Sequence, residues 1–255
     1  MAEDADATLA SLASSDLSTG LYEGGFKTWE CSIDLCSLLL DRGPRKDIDE
    51  LSRVDTVIEL GAGSALPSLV LFQHALINGY EVRFTLADYN EEVLRLVTVP
   101  NLLLTWARFG NSPVLMGEKE GDLEVSPVLV EAFLKALGAG GIEISLLSGP
   151  WGKELLGLIP ECGTDMGAVV LAAETIYSPA STEQLVELVV EILKRNKMAK
   201  AIVAAKRMYF GVGGSVDGLK ESCRDKGALA YEIENAGVEG MDQGVGRALI
   251  EVQIY

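Results

Sequence analysis

The chain has 255 residues, 48% of them hydrophobic, enough for one large α/β domain with a sizeable core and a short extension. Its formal charge of −17 argues against a nucleic-acid-binding surface, which needs clustered Lys and Arg, and favours basic partners. No apolar stretch reaches the roughly 18 residues of a membrane span and no charged-then-apolar leader is present, so neither a span nor a secretory signal is expected.

Residues 1–18 carry Glu3, Asp4, Asp6 and Asp16 without a base, which suggests a poorly ordered acidic arm ahead of a folded domain over 19–255. Ile33 to Leu40 reads as a helix ended by Asp41-Arg42-Gly43-Pro44. A strand over 54–60, a helix over 66–78, a strand over 82–88 and a helix over 91–99 follow. Residues 109–141 hold several Gly and Pro and read as an insertion with one helical stretch near Pro127–Leu137. A strand over 142–147 runs into a turn at Ser148-Gly149-Pro150-Trp151. A strand over 167–173 precedes a helix over 182–195, whose Leu185, Leu188, Val189 and Ile192 share one face. A strand over 200–205, a helix over 215–226 and strands near 228–234 and 247–255 complete the chain. This alternation implies a Rossmann-like α/β fold: a seven-stranded, mostly parallel sheet with helices on both faces. No helix separates the last two strands, so they should pair as an antiparallel hairpin.

The most informative run is Val57-Ile58-Glu59-Leu60-Gly61-Ala62-Gly63, an apolar strand that breaks into a glycine turn ahead of a helix. Such a corner lets a nucleotide-like cofactor touch the backbone where side chains would block it. The next strand ends in Asp88, placed to accept hydrogen bonds from ribose hydroxyls. A diphosphate fingerprint would want a third glycine where this chain has Leu66, and Glu59 would repel a diphosphate. A carboxylate there suits the cationic sulfonium and ammonium groups of S-adenosylmethionine better. Gly61–Gly63, Asp88, Gly149–Trp151 and Glu174–Tyr177 all fall at carboxyl ends of strands, where doubly wound sheets bind ligands.

Cys31, Cys36, Cys162 and Cys223 make no metal-ligand spacing and read as reduced thiols of the cytoplasm or nucleus. The lone His74 removes mechanisms built on a Ser–His or Cys–His pair or on a histidine-rich metal site.

Three segments carry a resemblance: Tyr22-Glu23-Gly24-Gly25-Phe26-Lys27-Thr28-Trp29-Glu30-Cys31, Ala87-Asp88-Tyr89-Asn90 with Thr98-Val99-Pro100-Asn101, and Ala173-Glu174-Thr175-Ile176-Tyr177. From about residue 20 onward the chain resembles the eukaryotic seven-β-strand protein-histidine methyltransferases, which modify a large-subunit ribosomal protein. The resemblance implies that Lys27, Thr28, Trp29, Glu30, Cys31, Gly61, Ala62, Gly63, Asp88, Tyr89, Asn90, Gly149, Pro150, Trp151 and Glu174 line an S-adenosylmethionine site. Where the family usually reads Gly-Asp-Trp, this chain reads Gly149-Pro150-Trp151, which puts one polar contact to the adenine in doubt. The family also tends to have a longer amino-terminal region. A neutral imidazole, with an ordinary pKa of about 6.5, is a competent nucleophile near pH 7 and needs no strong base. It needs an acceptor for its other ring N–H; Glu174 is the candidate, with Tyr177 and Trp29 as walls. The expectation is a monomeric cytoplasmic and nuclear enzyme acting on a basic protein, without a metal and without direct nucleic-acid contact. Alternatives are a protein-lysine methyltransferase of the same fold, a catalytically inactive methyltransferase-like binding module and, disfavoured by Glu59 and Leu66, a nicotinamide oxidoreductase.

Overall fold

A computed structural model describes residues 17–18, 22–23, 25–40, 53–110, 122–162, 166–234 and 240–254. Two short strands, β1 (Leu17–Ser18) and β2 (Tyr22–Glu23), pair antiparallel, so the two arm residues described belong to a small sheet. The rest of the expected acidic arm lies outside the described residues, as does the expected helix stop at 41–44.

The main sheet takes β3 (Val54–Leu60), β4 (Val82–Asp88), β5 (Ile142–Ser148), β6 (Gly167–Ala173), β7 (Lys200–Lys206), β8 (Ala228–Glu232) and β9 (Arg247–Ile254) in the order β5-β4-β3-β6-β7-β9-β8. The first five are parallel, and β9 runs antiparallel to both neighbours. Seven strands with a terminal hairpin is the arrangement expected from the sequence. Strand β6 is apolar throughout, and nearly every residue of β3, β4, β6 and β7 is buried, because both faces are covered. Val57, Val169, Leu171, Ile202 and Ala204 pack to one side, while Ile58, Leu60, Val170, Ala172 and Val203 pack to the other.

The first side is covered by α1 (Glu30–Leu40), α2 (Leu66–Asn78), α4 (Val99–Phe109) and α5 (Pro127–Ala139). The second is covered by α6 (Lys153–Leu158), α7 (Pro179–Lys194) and α8 (Val216–Asp225). The helix expected over 91–99 is instead α3 (Glu91–Val93), a π turn at Leu94–Thr98 and then α4, reaching ten residues further. Pro100 lies in the first turn of α4, where its missing N–H costs nothing. Helix α7 begins at Pro179, three residues early, because Ser178 and Ser181 form a reciprocal capping box. Helix α6 has no counterpart in the sequence expectation.

Helix α1 is fastened to the far end of the chain. Asp34, 1% exposed, receives a two-pronged ion pair from Arg247 of β9, Nε at 2.6 Å and a terminal nitrogen at 3.2 Å. Both oxygens of the buried carboxylate are thereby matched.

Candidate active site

The chain leaves β3 through Gly61 (φ 70°), Gly63 (φ 52°) and Ala65 (φ 56°), three left-handed residues ahead of α2. Glycine is required at Gly61, where a Cβ would stand 2.8 Å from the methyl of buried Thr175. At Gly63 it would stand 3.3 Å from the Gly25 carbonyl, so the loop before α1 lies against the corner. Hydrogen bonds hold this turn from several directions. The N–H of Ala62 donates to the Ala87 carbonyl at 2.9 Å, and the N–H of Gly63 donates to Asp88 Oδ2 at 2.9 Å. Thr98 Oγ1 donates to the Gly63 carbonyl at 2.7 Å, and Asn101 Nδ2 to the Ser64 carbonyl at 3.0 Å. The π turn delivers Thr98 to that carbonyl, which gives the irregular helix a role at the site. The other Asp88 oxygen accepts the N–H of Asn90 at 3.0 Å. Asp88 therefore braces the corner as well as facing the cavity.

Glu59 is a correction. The sequence placed its carboxylate beside the sulfonium, but the side chain is 2% exposed and does not line the cavity. Its Oε2 accepts the N–H of Ser68 at 3.0 Å, in the first turn of α2. That helix begins at Ala65 with no side-chain cap, so Glu59 supplies the missing acceptor from the sheet. Burial pushes its carboxyl up to about 8, against the Ser68 hydrogen bonds that lower it, so it is mostly protonated at neutral pH. A proton-carrying Glu59 offers no charge to a sulfonium.

Glu174 follows β6 in the left-handed region (φ 58°), its N–H donating to the Ala204 carbonyl at 2.9 Å. A branched-free acidic residue there is unusual, and such strain concentrates at functional sites. Its Oε2 accepts the hydroxyl of Tyr209 at 2.6 Å, while Oε1 is buried without a hydrogen-bond partner. Lys206 Nζ stands 3.6 Å from Oε1 and 3.7 Å from Glu30. The same ammonium lies 5.1 Å from the ring centre of Trp29, and that of Lys27 lies 4.8 Å from it. Glu174 does not cap the following helix; Ser178 does. Burial, and then Glu174, push the Cys31 thiol far above its ordinary value, so it is no nucleophile.

A cavity of about 350 Å³ opens over the carboxyl ends of β3, β4, β6 and β7. Of the residues expected there, Lys27, Trp29, Gly61, Ala62, Gly63, Asp88, Tyr89, Gly149, Pro150, Trp151, Glu174 and Tyr177 line it. Thr28, Glu30, Cys31, Glu59 and Asn90 do not. Cys31 is buried in the core under α1, Glu30 pairs with Lys206, and Asn90 caps α3 by accepting the N–H of Glu92. The sequence expectation missed Ser32 and, above all, Lys206, Tyr209 and Val212 after β7. The rule that named the other strand ends covers that one too, and Gly211, Gly213 and Gly214 mark its loop. Exposed His74 stands away from the cavity, its Nδ1 3.2 Å from Asn78.

This topology, with a glycine corner, an acid after the second strand and a cavity on that edge, is the arrangement of the Rossmann-like methyltransferase fold. No family profile matches the chain. It is 38% identical over 234 residues to histidine protein methyltransferase 1 of Saccharomyces cerevisiae, covering 84% of this chain and 60% of that protein. With the protein of the same name in Schizosaccharomyces pombe it shares 38% over 237 residues, covering 92% of this chain and 66% of the relative. A rat homologue is 30% identical over 238 residues. The chain is similar to these histidine protein methyltransferases over most of its length and spans 60% to 66% of the length of the two yeast relatives. Among solved structures, the N-terminal domain of human METTL16 in complex with SAH gives a TM-score of 0.49 at 12% identity, over 90% of this chain and 72% of that one.

Proposed function

We propose that this chain is an S-adenosylmethionine-dependent protein methyltransferase that modifies a histidine ring nitrogen of a large-subunit ribosomal protein. The relationship to the yeast histidine protein methyltransferases supports the class. The observation that carries the chemistry is Glu174 on the cavity wall in a left-handed backbone conformation, its carboxylate held by Tyr209 and 3.6 Å from the Lys206 ammonium.

The residues present fit the cofactor. At Gly61 and Gly63 a Cβ would collide with Thr175 or crowd Gly25, so the corner presents bare backbone to the cavity. Asp88, at the end of β4 on the cavity wall, is placed for its carboxylate to meet ribose hydroxyls. Trp151, whose indole would come within 3.7 Å of a Cβ on Gly61, is a wall for the adenine. When bound, S-adenosylmethionine supplies an activated methyl group on a cationic sulfonium. The chain's own task is alignment, because an in-line displacement depends on the geometry of approach. The Glu174 carboxylate, on the cavity wall beside Lys206, is the candidate acceptor for one ring N–H of a neutral imidazole, leaving the lone pair of the other nitrogen free. Tyr177 and Trp29 bound the space beside it.

A basic ribosomal substrate suits an enzyme of charge −17, and the enzyme would meet it before or during assembly, in the cytoplasm or nucleus. The enzyme would work as a monomer without contacting nucleic acid. Calorimetry should show binding of S-adenosylhomocysteine and none of NAD. Amino-acid analysis of protein labelled from methyl-tritiated cofactor should then show methylhistidine. Methyllysine in its place would overturn this reading in favour of the lysine-directed alternative, and binding without any transfer would favour an inactive module.

A further inference from the structure

We infer that the turn after β7 is the docking lip for the protein substrate, and that Phe210 on it receives an apolar side chain two residues from the one that is modified. The inference rests on the proposed function and adds the partner's chemistry to it. Side chains of this turn alternate outward and inward. Met208 and Phe210 are 49% and 75% exposed, whereas Tyr209 between them turns its hydroxyl onto Glu174 at 2.6 Å. Tyr209 and Val212 line the cavity, so Phe210 stands on its rim.

A phenylalanine left in water forfeits the gain from burying its ring, and a loose loop would fold it away. This turn is held in place. The N–H groups of Val212 and Gly213 both donate to the Tyr209 carbonyl, at 3.4 and 2.9 Å, with Gly211 and Gly213 in the left-handed region at φ 82° and 89°. Tyr209 N–H donates to the Gly214 carbonyl at 2.8 Å, and Gly214 N–H to the Tyr177 carbonyl at 3.1 Å. A Cβ on Gly214 would collide with the Ile176 carbonyl oxygen, so glycine alone lets the turn lie this close to the cavity wall. At its base, Arg207 N–H donates to the Gly246 carbonyl at 3.0 Å, and the guanidinium pairs with Glu232. An aromatic ring exposed on a fixed platform loses little freedom when a partner covers it, which is the character of a binding hot spot.

The occupant follows from the spacing. A turn of this kind is less than about 7 Å across, so Phe210 lies about that far from the cavity mouth. An extended chain advances about 3.3 Å per residue and sends every second side chain to the same face. A segment whose modified side chain enters the cavity therefore lays the side chain two positions away over Phe210. That side chain should be aliphatic or aromatic, and the flexible Met208 beside it can adapt to its shape. Exposed Glu30, 3.7 Å from Lys206 of the cavity wall, suits basic residues in the same segment.

The test measures steady-state transfer from methyl-tritiated S-adenosylmethionine to recombinant, unmethylated large-subunit ribosomal proteins, and then to the labelled acceptor alone. Phe210→Ser should raise KM for that acceptor at least about fivefold, with kcat and affinity for S-adenosylhomocysteine within about twofold of wild type. Asp in place of the acceptor's apolar residue two positions from the methylated one should raise KM of wild type at least as far, and add little for Phe210→Ser. A KM for Phe210→Ser within about fivefold of wild type, or a loss that falls on kcat instead, would overturn the inference. So would an acceptor with no apolar side chain two positions to either side. Were Phe210→Ser unfolded, the Asp-substituted acceptor read on wild type decides alone, and a KM within about fivefold would overturn the inference. Label on lysine would overturn the histidine assignment and leave the docking readout intact, whereas wild type that labels nothing would overturn both.

Discussion

Between Gly61 and Thr175 there is no room for a β-carbon, and the backbone conformation at Gly61 costs other residues about 1–2 kcal/mol. Gly61→Arg should therefore abolish binding of S-adenosylhomocysteine and also lower the unfolding midpoint of the unliganded protein. Calorimetric affinity equal to wild type would remove the corner from the cofactor site. Asp88 calls for a different expectation from that of a pure ligand contact. Asp88→Ala strands the N–H groups of Gly63 and Asn90, at about 1–3 kcal/mol for each that stays buried and unpaired. We expect the unliganded midpoint to fall by at least about 5 °C, together with a tenfold or greater loss of affinity measured well below that midpoint. A drop in stability with full affinity would confine Asp88 to bracing the turn.

At the scale of elements, the junction of β3 with α2 depends on Glu59. The folded carboxyl holds its proton up to about pH 8, whereas the unfolded one loses it near 4.5. The native state binds the extra proton in that window, so the contribution to stability is complete below the lower value and declines as pH rises to the upper one. Glu59→Gln keeps an acceptor for Ser68 and has no proton to lose. Its stability relative to wild type, from urea melts at several pH values, should rise by about 1.4 kcal/mol per pH unit across the window. A difference that stays level with pH would show that Glu59 does not carry this linkage. Strands β3, β4 and β6 were legible to the residue because burial on both faces leaves short, mostly apolar runs bounded by glycine or an acid. Helix limits were not. Trp29-Glu30-Cys31 belongs to the approach and start of α1, and Pro100 reads as a stop although it opens α4. The cavity was legible where a strand ended in a distinctive acid or glycine. It was lost at Lys206–Val212, which carry no motif, and misread at Glu59, whose register with Val57 turns it under α2.

For the whole molecule, the charge of −17 and the basic substrate proposed above imply an association that weakens with salt. Screening shortens from about 10 Å at 0.1 M to about 3 Å at 1 M, so stopped-flow association rates should fall steeply across that range. Rates indifferent to salt would remove long-range attraction from the account. The tie between Asp34 and Arg247 bears on how such a molecule comes into being. It joins residues 213 positions apart, and α1, which it anchors, follows directly on Trp29 of the cavity wall. A ribosome releases Trp29 and Asp34 early and Arg247 late. During synthesis the glycine corner and its acid can already exist while this wall still lacks its anchor. The nascent enzyme would then acquire its cofactor pocket in one late step, when β9 slots between β7 and β8.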